Sequence, residues 1–161
     1  MTAETDFEIV RNSPLATDLT DTECRELAKI VKHRLLREGE NLFTECSVDN
    51  TLYVIISGML AVVKDTGGGD SITLHMYKMG DMVGELGFID GTEHSATLRA
   101  MGETEVFALE REAFEGMLKD YPETVYKVMR NIMRTVHTIL RRMNLHYVEL
   151  TNYITKQHGK Y

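Results

Sequence analysis

Short alternating runs of apolar and polar residues fill the middle of the chain, and helical patterns lie on either side of them. A first helix is predicted over residues 20–32, because Thr20 and Glu23 fit a capping box before an apolar face. Glycine-punctuated apolar runs then predict six short strands, at residues 41–43, 52–57, 59–64, 72–78, 95–100 and 106–109.

The strand predicted over residues 72–78 alternates Ile72, Leu74 and Met76 with polar or aromatic residues, which is the period of a half-buried strand. The glycine run 67–69, followed by Asp70, predicts a hairpin connection into that strand. Short antiparallel strands at this spacing predict a β-sandwich or barrel, the class that includes jelly rolls.

The pattern becomes helical again after residue 109. A short helix is predicted over residues 111–119, and Pro122 fits the first position of a longer one that ends near Gln157, about 50 Å long. Its apolar residues are spaced alternately four and three apart, as in the seam of paired helices: Val125, Met129, Ile132, Val136, Ile139 and Met143. A small β-domain cannot cover such a helix, so a homodimer through this stripe is expected. Packing on its own domain alone is the alternative.

Charge divides the chain into an acidic body and a basic tail. Residues 1–124 carry 11 basic and 24 acidic side chains, whereas residues 125–161 carry 7 and 1. The tail could attract nucleic acid, an acidic partner or the body itself, or could be a solvated helix face. The N-terminus does not resemble a signal peptide, and no apolar run approaches about 20 residues, so a cytoplasmic protein without a membrane partner is expected.

The segment from Gly84 to Thr97 carries the most specific chemistry. Gly84 permits a positive φ or a close backbone approach. A helical turn opening at Glu85 and Leu86 would present free N–H groups to an anion. The Glu85 carboxylate would repel a phosphate unless it accepted a hydrogen bond from a hydroxyl of the same ligand. A phosphate beside a hydroxyl describes a nucleotide.

Residues 84–86, Gly-Glu-Leu, and 95–96, Ser-Ala, resemble the phosphate-binding cassette of cyclic-nucleotide-binding domains. The resemblance extends over about residues 15–145. It implies a mainly β protein with flanking helices, an antiparallel β-roll or jelly roll with a long C-terminal dimerisation helix. The implied divisions are an N-terminal segment (1–18), the β-roll domain (19–121) and the long helix with its basic tail (122–161). The implied ligand-binding residues are Gly84, Glu85, Leu86, His94, Ser95 and Ala96.

Two departures from the family pattern concern the ligand. His94 stands where the family has the arginine that grips the cyclic phosphate. Losing a hydrogen bond to a charged group weakens binding about 10- to 100-fold. If His94 is the phosphate cation, binding should strengthen as the pH falls through its pKa. The base-side positions fall on Ile139 and Leu140, which makes that side apolar.

The function expected from these features is a non-catalytic regulatory or sensor module. Its expected ligand is a cyclic nucleotide (cyclic AMP or cyclic GMP) or another small anion, bound weakly or in an altered manner. No catalytic or metal-binding motif is found in the sequence. One alternative is a ligandless dimeric scaffold that binds an acidic partner. The other is a truncated transcription regulator, although the 18 residues after Met143 are too few for a helix-turn-helix, so this chain is not expected to bind DNA sequence-specifically.

Overall fold

The computed structural model describes residues 3–158, in which two antiparallel sheets lie against a set of helices. The helices are α1 (Ala3–Arg11), α2 (Asp21–Ala28), α3 (Glu85–Asp90), α4 (Arg111–Glu115) and α5 (Pro122–His158), with 3₁₀ turns at Pro14–Ala16 and Gly116–Leu118. The strands are β1 (Val31–Leu36), β2 (Asn41–Phe43), β3 (Thr51–Ser57), β4 (Met59–Gly67), β5 (Asp70–Lys78), β6 (Met82–Val83), β7 (Thr97–Ala100) and β8 (Thr104–Glu110).

The strands form two four-stranded sheets, in the orders β1-β8-β3-β6 and β2-β7-β4-β5. Every pairing between neighbouring strands is antiparallel. The β4–β5 hairpin turns through the predicted glycine run, in which Gly67, Gly68 and Gly69 all have positive φ. The predicted fold class, an antiparallel β-roll with flanking helices and a long C-terminal helix, is confirmed.

The two central strands of the first sheet, β8 and β3, are buried on both faces, which explains why they are mostly apolar, whereas the edge strand β1 carries Lys32, His33 and Arg34. On β3, Leu52 and Val54 pack into a core shared with the helices, while Tyr53 and Ile55 face the second sheet. The same alternation recurs on β8. The first sheet is therefore the middle layer between the helices and the second sheet.

The first predicted helix exists but is shorter than expected. The capping box of Thr20 and Glu23 is present, and α2 ends at Ala28. Val31 and Lys32, predicted to be helical, instead begin β1 and pair with β8. A strand forms here because β8 pairs with β1 along its whole length and supplies its backbone hydrogen-bond partners. The sequence patterns also missed β1, β6 and helix α1.

Strand β5 is more exposed than a half-buried strand. It lies at the edge of the second sheet, and Ile72, Leu74 and Met76 are 50%, 57% and 38% exposed. The alternation correctly identified a strand, but within this single chain its apolar face is uncovered.

Helix α5 begins at Pro122, as expected, and its 37 residues span about 55 Å. Part of the predicted dimer stripe is wrong, because Val125 and Ile132 are buried in the core of their own chain, 7% and 0% exposed. Met129 and Val136 pack partly against that core, whereas Met143 is exposed. The first turns of α5 thus pack on their own domain, and two of the predicted seam positions are not available to a second chain.

Ion pairs join the basic face of α5 to the acidic body. Lys127 contacts Glu23 at 2.8 Å, and Asp18 binds both Arg130, at 2.9 Å, and Arg134. Of the roles considered for the basic tail, attraction to its own body therefore accounts for these three residues. The end of the tail, including Lys160, lies outside the described residues.

Within residues 3–158, no helix has both the length and the hydropathy needed to cross a bilayer.

Candidate functional site

The segment between β6 and β7 is shaped by Gly84. Its φ is +83°, and a Cβ there would lie 2.7 Å from the Thr51 carbonyl oxygen, so a larger residue would be both strained and sterically blocked. Gly84 precedes the first residue of α3, Glu85. The expected glycine turn and short helix are thus both present, and they fix where the first backbone amides of α3 point.

All six predicted ligand-binding residues line one cavity of about 200 Å³, which we call the cassette cavity: Gly84, Glu85, Leu86, His94, Ser95 and Ala96. Sequence reasoning missed other lining residues, among them Phe43, Tyr77 and Glu93. Phe43 and Tyr77 come from β2 and β5, outside the cassette segment, whereas Glu93 lies within the segment from Gly84 to Thr97 but was not singled out there. The structure therefore brings the predicted residues together and adds an aromatic wall and a second carboxylate.

His94 is buried rather than extended into the cavity as a free cation. It is 8% exposed and stacks on Phe43, with ring centroids 3.6 Å apart and an interplanar angle of 10°. Burial lowers the pKa of His94, and the nearby Asp49 only partly opposes this shift. Among the described residues, its Nε2 has no hydrogen-bond partner. His94 is therefore neutral at pH 7, which argues against its expected role as the phosphate cation at that pH.

The buried His94 should make folding stability pH-dependent. Since its pKa is lowered in the folded chain, the unfolded chain takes up a proton first as the pH falls below about 6.5. The His94 contribution should thus be constant above that pH and destabilising as the pH falls through the lowered folded pKa. Urea unfolding at pH 7.5 and 5.5 should show a smaller loss for His94→Phe than for wild type. The exposed His146, changed to Phe, should behave as wild type; an equal loss in all three proteins would contradict the placement of His94.

Glu85 lies in the cassette cavity with its ionised form disfavoured. Burial raises the pKa of the Glu85 carboxyl, and its own backbone N–H partly offsets the shift. Tyr77 lies nearby, and burial, followed by Glu85 and Asp81, raises the pKa of its hydroxyl. Burial removes part of the water around the Glu85 carboxyl and leaves its oxygens with fewer solvent partners. Such an oxygen is suited to accepting a hydrogen bond from a ligand hydroxyl.

A lysine contacts a residue that lines the cassette cavity. Lys64, on β4, donates from Nζ to the Ser95 carbonyl oxygen at 3.2 Å and forms an ion pair with Glu45. Arg99, the nearest arginine after the cassette in sequence, instead donates from Nε to the Asn41 side chain at 3.1 Å. Arg99 therefore does not replace the missing cassette arginine.

The predicted base-side residues do not line the cassette cavity. Ile139 lines a second cavity, of about 260 Å³, between α5 and the turn after β5, whereas Leu140 is 52% exposed and lines neither. The other α5 residues in this second cavity are Thr135, Thr138, Arg134 and Arg142, together with Asn131. This side is therefore more polar than expected. The i, i+3, i+4, i+7 spacing of 135, 138, 139 and 142 could have identified the face.

Tyr77 belongs to both cavities, so the two adjoin at this side chain. A ligand that extends past Tyr77 would pass from the cassette to α5. Among residues 3–158, no group of three or more His, Cys, Asp or Glu side chains is arranged to hold a metal ion.

The fold and this cassette match known proteins. A family model described as the cyclic nucleotide-binding domain covers residues 33–121. The Cyclic AMP receptor protein of Thermus thermophilus is 26% identical over 125 residues, 78% of this chain and 58% of that protein. A solved cyclic nucleotide-binding domain from Methylobacillus flagellatus aligns with a TM-score of 0.75 and 26% identity, covering 87% of this chain and 79% of the other. The neuropathy target esterase sws of Drosophila melanogaster is 27% identical over 143 residues, 83% of this chain but 10% of the esterase.

The two-sheet roll, the helices around it and the cassette after Gly84 define an antiparallel β-roll fold with flanking helices. The family match spans more than half of the 161 residues, and the chain belongs to the cyclic nucleotide-binding domain family.

Proposed function

We propose that this chain is a non-catalytic regulatory module that binds a cyclic nucleotide, cyclic AMP or cyclic GMP, or a related small anion in the cassette cavity. The observation that carries the proposal is the convergence of all six cassette residues on one cavity. The family match and the likeness to a cyclic AMP receptor protein support the ligand class. A cytoplasmic location remains a prediction from the sequence.

The cavity offers complementary groups for a phosphate and a hydroxyl. Leu86 and Gly87 lie in the first turn of α3, where backbone N–H groups have no partner within the helix. Such amides accept an anion without a side-chain cation. The Glu85 carboxylate can accept a hydrogen bond from a neighbouring ligand hydroxyl. This pairing favours a phosphate ester that also carries a free hydroxyl.

The electrostatics of the cavity argue for weak binding. Glu85 and Glu93 both line it, and the lowered pKa of His94 leaves that side chain neutral at pH 7. Compared with a cassette that holds an arginine, the loss of a charge-assisted hydrogen bond amounts to about 1.5–3 kcal/mol. We therefore expect affinity about 10- to 100-fold weaker than that of an arginine cassette.

Titration calorimetry with cyclic AMP and cyclic GMP tests this proposal. His94→Arg should bind about 10- to 100-fold more tightly than wild type, because a guanidinium can reach into the cavity that His94 lines. His146→Arg makes the same substitution at an exposed position on α5 and should leave the affinity unchanged. If His94→Arg gives neither heat nor a thermal shift at millimolar ligand, the ligandless scaffold becomes the better reading.

The second part of the proposal is a homodimer through α5, in a register different from that expected. A 3–4 stripe begins one residue later than Val125, with members Tyr126, Met129, Met133, Val136, Leu140, Met143, Tyr147 and Leu150. Six of these eight residues are between 52% and 72% exposed in the single chain, and Met129 and Val136 are partly buried. Such a sustained apolar a/d pattern is typical of paired helices.

This register leaves the body-facing residues in place. Val125, Ile132 and Ile139 each immediately precede a residue of the new stripe. Successive residues on a helix lie about 100° apart, so the two stripes run side by side along α5. One stripe can pack on its own domain while the other meets a second copy.

The alternatives receive less support. The acidic-partner alternative relies on the basic face of α5, yet Lys127, Arg130 and Arg134 are already paired with Glu23 and Asp18. The region after Met143 in the described chain is the continuation of α5 rather than a helix-turn-helix. Recognition of specific DNA by these residues is therefore not proposed.

A further inference from the structure

We propose that Lys64 supplies the positive charge for the ligand phosphate in place of the missing cassette arginine, and that Glu45 restrains it. This assignment rests on the proposed function, since it concerns the same cavity. Both residues lie outside the cassette motif, at least 20 positions before Gly84 in the sequence.

Lys64 does not itself line the cassette cavity, but its ammonium group hydrogen-bonds a residue that does. Val62, two residues earlier on β4 and on the same face of the strand, lines the cassette cavity. The Lys64 Nζ hydrogen-bonds the carbonyl oxygen of Ser95, which also lines it. A phosphate bound between the α3 amides and Ser95 would thus lie within reach of the flexible Lys64 side chain.

Two arginines near the cassette are held elsewhere, His94 is uncharged, and Arg142 lines the adjoining cavity along α5 rather than the cassette cavity. Arg99 is held by Asn41, and Arg111 donates to the Ile89 carbonyl oxygen at 3.4 Å, near the C-terminal end of α3. His94 is neutral at pH 7 because burial lowers its pKa. Within residues 3–158, Lys64 is the charged cation whose hydrogen bond reaches a residue lining this cavity.

Glu45 competes with the ligand for this lysine. Its backbone N–H donates to Thr97 Oγ1 at 3.0 Å, which positions it beside Lys64. The two side chains are 44% and 31% exposed, and ion pairs as exposed as this one are weak and exchange readily. A phosphate, bound also by backbone amides, can therefore displace the carboxylate, and Lys64 can turn from Glu45 to the ligand.

Calorimetry of cyclic AMP binding to four single variants tests the assignment. Lys64→Met should weaken binding about tenfold or more, because it removes a charge-assisted hydrogen bond to the phosphate. Lys64→Arg should keep the affinity within a few-fold of wild type. Glu45→Gln should tighten binding, because the competing carboxylate is gone. The matched control is Lys32→Met, which removes a lysine from an exposed ion pair with Glu110 on the other sheet and should change nothing.

A double variant distinguishes two ways in which Glu45 could weaken binding: by competing for Lys64, or by repelling the ligand phosphate directly. Glu45→Gln should lose its tightening effect when combined with Lys64→Met, since Glu45 acts through the lysine. Thermal melting of each variant checks that the fold is intact.

The possible failures can be told apart. Absence of cyclic nucleotide binding to both wild type and His94→Arg would overturn the proposed function, and this assignment with it. Measurable wild-type binding that Lys64→Met leaves unchanged would overturn the assignment alone, as would tightening by Glu45→Gln that persists without Lys64.

Discussion

Leu140→Asp should convert the proposed dimer into a monomer at tens of micromolar protein. In a symmetric helix pair, the substitution places two carboxylates on the apolar seam, where burying an unpaired charge costs several kcal/mol each. The dimer dissociation constant should therefore rise at least about 1000-fold. Because Leu140 is 52% exposed in the single chain, the fold of the monomer should be retained. Light scattering coupled to gel filtration measures the outcome, and circular dichroism checks the helix.

A matched control lies on the same helix. Leu145 is 64% exposed and lies outside the seam, so Leu145→Asp should leave the dimer intact. Both substitutions place the same charge at an exposed leucine, and they differ in position around α5. The proposed seam would be contradicted if the wild type were monomeric at tens of micromolar. It would also be contradicted if the two substitutions dissociated the dimer equally.

Ile132→Ala should destabilise the folded chain by about 2–5 kcal/mol. Ile132 is fully buried in the core that α5 shares with the N-terminal helices and the first sheet, so truncation leaves a cavity there. Denaturant unfolding at one fixed protein concentration measures the loss, because the stability of a dimer depends on concentration.

Met133→Ala is the control for that measurement. Met133 is the next residue, 55% exposed in the single chain, and its truncation should affect dimer affinity more than the folding of its own domain. At protein concentrations below the dimer dissociation constant, Met133→Ala should change the unfolding free energy by no more than about 0.5 kcal/mol. Similar losses for the two variants under those conditions would mean that the body-facing and seam-facing sides of α5 have been assigned wrongly.

On α5, the proposed ligand cavity and the proposed dimer seam lie close together. Ile139 lines the cavity that adjoins the cassette at Tyr77, and the next residue, Leu140, belongs to the proposed seam. A ligand that reached α5 would therefore contact the helix one residue away from the second copy. This is a direct physical route by which occupancy of the cavity could change the geometry of a dimer.

Local patterns in the sequence were sufficient for much of the fold. The capping box at Thr20, the glycine run before Asp70 and Pro122 at the start of α5 each depend on neighbouring residues, and each is present in the structure. The cassette was also identifiable, because Gly84 and the residues after it act through a short stretch of backbone. Such features are decided by contacts a few residues apart, which a sequence displays directly.

The sequence could not decide which apolar face meets which neighbour. Positions 125 and 126, 132 and 133, and 139 and 140 are adjacent apolar pairs, so a stripe of alternating four- and three-residue spacing fits either member of each pair. The tertiary structure assigns Val125 and Ile132 to the chain's own core and leaves Tyr126 and Met133 exposed. On β5, likewise, alternation predicted a strand but could not show that it would form the edge of a sheet.

The charges of the site also depended on tertiary structure. His94 was visible in the sequence as the substituted arginine position, but its neutral state follows from burial against Phe43, which is 51 residues away. Lys64 meets Ser95 across 31 residues because β4 lies in the second sheet beside β7. The sequence by itself determined the fold class and the cassette. The packing of distant strands alone decided which side chains are charged, buried or within reach of a ligand, because desolvation and charge contacts depend on distance in space.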